Sequence, residues 1–182
     1  MDAFEHLVGR HQKRMLNIAF RLLGDYDEAC ECVQDAFVAA FRHIGSFRGA
    51  AKFSTWLTTI TLNHARNRLK QLRSRTNRIA YSLDAGVKSD DGEIRIDPPS
   101  REPSVLDRLQ EQDLKDKVRN CIQALDVEYR EVIILRDLQD FSYGEIGSTL
   151  GVREGTVKSR LFRAREAVKD CLKKAGGIAD GT

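Results

Sequence analysis

Residues Phe141 to Lys174 read FSYGEIGSTLGVREGTVKSRLFRAREAVKDCLKK, and the spacing of their apolar residues predicts two helices meeting at a tight turn. Ile146 and Leu150 sit four apart in a short helix that Ser142 is suited to open, because a serine hydroxyl accepts from the unpaired N–H groups of a first turn. Val157, Leu161, Ala164 and Val168 form the inward stripe of the second helix. Such a pair needs a small residue where the helices cross, a residue tolerant of positive φ in the turn, and a branched aliphatic plug. Gly147, Gly151 and Val157 stand at those places, so the stretch is expected to be a helix-turn-helix. From Thr156 onward its second helix carries Lys158, Arg160, Arg163, Arg165, Lys169, Lys173 and Lys174 against Glu166 and Asp170. A basic face is also the ordinary appearance of a solvated helix, but joined to this turn it suits phosphates and base edges in a major groove.

The 182 residues, 41% hydrophobic and 31% charged, suffice for one mid-sized or two small domains of ordinary soluble composition. Asp2 and Glu5 stand in the first turn of the chain and the longest apolar run, Ala36 to Phe41, is far too short to span a bilayer. No membrane insertion is expected, and the expected location is the cytoplasm. Cys30, Cys32, Cys121 and Cys171 lack paired C-x-x-C spacing and are expected to be small buried or half-buried residues, not metal ligands or disulfide partners. The net charge of +3 is small, but residues 1–75 hold 12 Lys+Arg against 7 Asp+Glu, while residues 76–107 hold 4 against 7. Basic residues therefore flank an acidic middle.

Phe4, Leu7, Val8, His11, Met15, Ile18, Ala19 and Leu22 mark a first helix ending near Gly24, with Asp25 or Asp27 placed to cap a second. In that second helix Ala29, Val33, Ala36, Phe37, Ala40 and Ile44 fall on the buried side, and Glu31, Gln34, Asp35, Val38 and Arg42 on the other. Pattern alone leaves that face open between a solvated acidic surface and a partner surface. After a Gly and Ser loop, a helix from Lys52 to Leu72 sets Phe47, Phe53 and Trp56 near Arg48, Lys52, Asn63, Arg66 and Arg68. Aromatic rings stack on unpaired bases while cations follow a backbone, although aromatics at a helix start also serve as core. From Ser74 to Ser104 periodicity is lost and all three prolines gather, which predicts an extended acidic linker at 76–104 between domains at 1–75 and 105–182. Leu106, Leu109, Leu114, Val118 and Ile122 then point inward on a helix from Val105 to Leu125, and Asp126 is placed to cap the next, Val127 to Leu138. The expected fold is all-α, with two small helical domains joined flexibly.

Three stretches together, DEACECVQDAFVAAFRHIGSFRG, KFSTWLTTITLNHARNRL and YREVIILRDLQDFSYGEIGSTLGVREGTVKSRLFRARE, resemble the sigma factors of bacterial RNA polymerase. Their order and the acidic tether between them resemble the short extracytoplasmic-function group (group 4), which has only the second and fourth sigma regions and is associated with stress response. The resemblance implies that Glu31, Gln34, Asp35 and Val38 dock on the clamp helices of the largest polymerase subunit, and that the C-terminal domain meets the flap of the second-largest. It implies that Phe53, Trp56, Asn63, Arg66 and Asn67 recognise and open the start-proximal promoter element. Arg136, Tyr143, Thr156, Lys158, Ser159, Arg160, Phe162 and Arg163 would contact the upstream element, long cations suiting guanine edges and Phe162 a thymine methyl. An anti-sigma factor is an implied partner; no cofactor, metal or catalytic residue is implied.

Thr59 and Ile60 occupy positions where housekeeping relatives present an aromatic pair, so weaker promoter opening is expected. Asp126 stands where a proline is usual, and Arg153 and Glu154 where many relatives have Pro-Val; both keep helix-start chemistry. A helix-turn-helix regulator acting as a dimer without polymerase is the competing reading, because TVKSR also resembles response-regulator output domains. The basic, aromatic front half argues against it. An enzyme is disfavoured by the lack of a Gly-rich phosphate loop or any triad-like grouping of His6, His11, His43 and His64.

Overall fold

The computed structural model describes residues 2–80 and 105–176, and every element among them is helical. The expected linker from 81 to 104 and the inward placement of Leu106 and Leu109 lie outside the described residues and side chains. The N-terminal half contains α1 (Asp2–Leu23), α2 (Tyr26–His43), a tight turn at Ile44–Ser46 and α3 (Phe53–Ala80). Gly24, at φ 83°, ends α1 where an L side chain would be strained. Asp25 then caps α2, its carboxylate accepting from the Glu28 N–H at 2.8 Å. Met15, Ile18 and Leu22 of α1 pack with Ala29, Val33 and Ala40 of α2 and with Leu57 and Leu62 of α3. Of the buried threonines of α3, Thr58 and Thr61 return their hydroxyls to the carbonyls of Ser54 and Leu57 at 2.8 and 3.0 Å, so neither is left unsatisfied.

The C-terminal half contains α4 (Val105–Gln123), α5 (Val127–Ile133) running into a wide π-type turn at Ile134–Leu138, α6 (Tyr143–Leu150) and α7 (Glu154–Lys174). Val132, Ile134, Leu135, Phe141, Ile146, Val157, Leu161 and Ala164 form its core, with Val168 half-buried at the edge. A Cβ on Gly147 would come 2.8 Å from the Val152 carbonyl oxygen, and Gly151 adopts φ +69°. The crossing and turn expected of the helix-turn-helix are therefore present, with Val157 fully buried as its plug. Ser142 and Glu145 close a reciprocal capping box at the start of α6.

Five expectations need correction, the first being Ile44, which lies 37% exposed in the tight turn after α2 instead of on the buried side of that helix. Helix α3 continues to Ala80, past the point where periodicity fades, because a helix can extend on propensity and solvated cations without a buried stripe. Leu114 is 44% exposed instead of inward; among the described side chains of α4, only Cys121 and Ile122 near its C-terminal end are buried. Asp126 occupies the cap position of α5 but its side chain makes no capping bond. Cys121 and Cys171 are joined as a disulfide between α4 and α7, with Cα atoms 5.7 Å apart; Cys30 and Cys32 remain thiols, half-buried and buried as expected. No local spacing marks a pair separated by 50 residues.

The two halves also pack directly on one another. Arg130, buried at the start of α5, donates to the Leu22 carbonyl at 2.6 Å and to the Leu125 carbonyl at 3.0 Å. The Leu22 carbonyl belongs to the last turn of α1, whose oxygens have no partner within the helix, so a guanidinium there satisfies both a hydrogen bond and the negative helix end. Gln123 of α4 donates to the Arg21 carbonyl at 2.7 Å and accepts from Arg130 at 2.9 Å. Arg66 of α3 meets the buried carboxylate of Glu131 through two bonds, at 2.5 and 2.8 Å. Arg14 of α1 donates to the Gln139 carbonyl at 2.7 Å and covers the Phe141 ring at 4.7 Å. This joint is mostly charged and polar, a character that favours reversible contact over permanent burial.

Candidate nucleic-acid interface

Helix α7 presents Lys158, Ser159, Phe162 and Arg163 together on its outer side, at the one- and four-residue offsets that share a helical face. Phe162 is 68% exposed, a costly place for a phenyl ring unless something covers it. The Tyr129 hydroxyl nearby raises the pKa of Arg163, and Ser159 donates to the Thr156 carbonyl at 3.0 Å, with Thr156 half-buried in the first turn. Tyr143 lies between two cations, the Arg136 guanidinium 5.2 Å and the Lys158 ammonium 5.6 Å from its ring centre. Arg136 also donates to the Phe141 carbonyl at 2.9 Å, and Arg160 pairs with Glu128 at 2.5 Å. These two cations brace the motif, whereas Lys158, Phe162 and Arg163 form its outward surface.

On the N-terminal half, Phe47, Phe53 and Trp56 pack edge to tilt with ring centres 5.2 to 5.7 Å apart, all half-buried. Asn63 and Asn67 are exposed further along α3, whereas Arg66 between them is turned to Glu131. The structure thus brings Asn63 and Asn67 to one open surface and withholds Arg66 from it. On α2, Glu31, Gln34, Asp35 and Val38 are all exposed, and Val38 at 49% adjoins Phe41 at 53%. Glu31 and Glu28 both pair with Arg68 of α3, so the acidic face is braced from behind. Phe41 was not singled out from the sequence, where it stood within an apolar run.

Glu145 ties the halves together beside the motif. Its carboxylate accepts from the Ser142 backbone N–H at 3.0 Å and from the Lys52 ammonium at 3.0 Å. These partners, the backbone donor foremost, hold its carboxyl down at about 2. Sequence reasoning missed this contact, along with Arg14, Gln123, Arg130 and Glu131. Their only local signal is charge on helices, which ordinarily reads as solvated surface.

Comparison with known proteins places both halves in one class. The family description "Sigma-70 region 2" matches residues 7–75, and "Sigma-70, region 4" matches residues 115–168. The sigma-H factor of Pseudomonas aeruginosa is 33% identical over 178 residues, covering 93% of this chain and 86% of that one. SigW of Bacillus subtilis is 33% identical, covering 94% and 90%, and the sigma-E factor of Escherichia coli 34% identical, covering 91% and 84%. Among solved structures, the sigma factor RpoE of Bartonella quintana, in complex with the anti-sigma factor NepR, superposes with a TM-score of 0.68 at 26% identity, covering 95% of this chain and 98% of that one. The chain belongs to the extracytoplasmic-function sigma factors of bacterial RNA polymerase. Sigma factors are transcription initiation factors, not enzymes.

Proposed function

We propose that this sigma factor is of the group 4 type, with region 2 at 1–75, region 4 at 105–182 and residues 76–104 as the acidic connection. Its partners are core polymerase and promoter DNA, and it works in the cytoplasm. Glu31, Gln34, Asp35 and Val38, continued by Phe41, dock on the clamp helices of the largest subunit, and region 4 meets the flap of the second-largest. The observation that carries this reading is the exposed α2 face, where carboxylates border two uncovered apolar side chains. No described helix is long and apolar enough to cross a membrane.

Asn63 and Asn67 then read exposed bases of the start-proximal element while Phe53 and Trp56 support the melted strand, and Arg66 joins them once it leaves Glu131. Amides offer donor and acceptor together, which suits unpaired base edges. Lys158, Ser159, Phe162 and Arg163 contact the upstream element, with Thr156, Arg160, Arg136 and Tyr143 positioning that helix. An anti-sigma factor is a further partner, supported by the likeness to a sigma factor solved with one.

The test is co-elution of the purified chain with sigma-free core polymerase on a sizing column, with Asp35→Ala beside it. Co-elution that the substitution weakens supports the reading. A dimer that ignores polymerase and binds symmetric duplex sites would instead favour an ordinary helix-turn-helix regulator.

A further inference from the structure

We propose that Cys121 and Cys171 form a reversible thiol-disulfide site, oxidised by a hydroperoxide, whose closure holds region 4 on region 2. A protein that serves polymerase works in a reducing compartment, where a disulfide is characteristically transient and regulatory. The inference rests on the proposed function for that compartment and for its consequence, but its chemistry and its geometry are independent of it.

The position of the pair carries the argument. Cys121 lies two residues before Gln123, in a turn of α4 that touches both halves. Gln123 there holds the Arg21 carbonyl and receives Arg130, and Arg119 one turn earlier sits 5.6 Å over the Phe20 ring of α1. With the disulfide formed, this turn is bonded to α7 and so to the body of the helix-turn-helix. With thiols, it rests on α7 through helix packing alone. The bond therefore fastens α4, which touches α1, to the body of the C-terminal half, beside the joint that also occupies Arg66. Closing it favours the closed arrangement, and reduction lets α4 yield so that region 4 can leave α1.

The two sulfurs differ in access, as a site of this kind requires: Cys171 is half-buried and Cys121 is 2% exposed. The Cys171 thiolate attacks one peroxide oxygen; the O–O bond breaks, hydroxide leaves and is protonated, and Cys171 becomes a sulfenic acid. The Cys121 sulfur then attacks the Cys171 sulfur, forming the disulfide and expelling hydroxide, which takes up the thiol proton as water. Two thiols are oxidised and one hydrogen peroxide is reduced to two waters. A small dithiol reverses the change by attacking the accessible Cys171 sulfur.

The experiment uses the full chain, treated with stoichiometric hydrogen peroxide or with dithiothreitol. Thiol titration, peptide mapping, small-angle scattering and core-polymerase affinity are read on each form, with Cys171→Ser as control. The expected result is a fall from four free thiols to two, a linked Cys121–Cys171 peptide, a smaller radius of gyration, and polymerase affinity weakened by roughly tenfold, within the ordinary range for coupled sites. The control should respond in none of these. Four thiols persisting, or a linked pair with unchanged radius, would overturn the proposal. Contraction on oxidation with no polymerase binding in either form would strike the functional reading and leave the redox site standing.

Discussion

The two surfaces proposed to face DNA differ in how ready they stand. Helix α7 shows Lys158, Phe162 and Arg163 to solvent, whereas α3 shows Asn63 and Asn67 but commits the cation between them, Arg66, to Glu131 of the other half. A duplex reader needs only a fixed helix face, which region 4 assembles from its own core. A strand opener must act at one place and time, and here part of its basic surface is spent on the joint between halves. The contrast teaches that packing of the two halves bears unequally on the two proposed DNA contacts.

The largest way to break the contrast is Arg130→Ala. It removes the donor shared by the Leu22 and Leu125 carbonyls, and the loss should reach about 3 kcal/mol in denaturant unfolding, because charge-assisted bonds at buried acceptors are among the stronger ones. Hydrogen exchange should rise at the end of α1, and an unchanged profile there would mean that the halves are held elsewhere. Arg163→Ala sharpens the contrast from the opposite side. It should cost roughly 1 to 3 kcal/mol in upstream-element binding while leaving both stability and polymerase affinity in place.

The smallest effect concerns pH. Glu145 has its carboxyl lowered from 4.5 to about 2, so its contribution to the capping box and to the Lys52 contact is complete above 4.5 and is lost as the pH falls toward 2. Lys52 is largely exposed, so solvent screens that half of the interaction. Thermal melts of Glu145→Gln should therefore match the unaltered chain near pH 2 and fall below it at neutral pH. Equal melting at neutral pH would show that the box contributes nothing measurable.

Local rules that repeat along a helix were legible in the chain itself. Periodicity placed the stripes Met15 to Leu22 and Val157 to Ala164, and the need for a small residue and positive φ picked out Gly147 and Gly151. Ser142, and the choice of Asp25 or Asp27 that the structure resolves to Asp25, announced helix starts through chemistry confined to the next three residues. The exposed face with Val38 followed, since a face opposite a stripe has only one place to go, whereas Phe162 came from the family resemblance. Leu114 misled because a stripe states which residues lie together, not whether another helix reaches far enough to cover them.

By itself, then, the sequence determined an all-α chain in two halves and a helix-turn-helix, because each depends on neighbours within about one or two helical turns. Only the tertiary structure decided that the halves meet, that Arg66 and Arg130 face inward, and that Cys121 reaches Cys171. Each of these joins side chains 50 or more positions apart, apart from the local anchors of Arg130, and charge or sulfur carries no periodic signal of the partner it will find. The physical reason is that desolvating a guanidinium is favourable only where acceptors from another element converge on it, and that convergence exists only after packing.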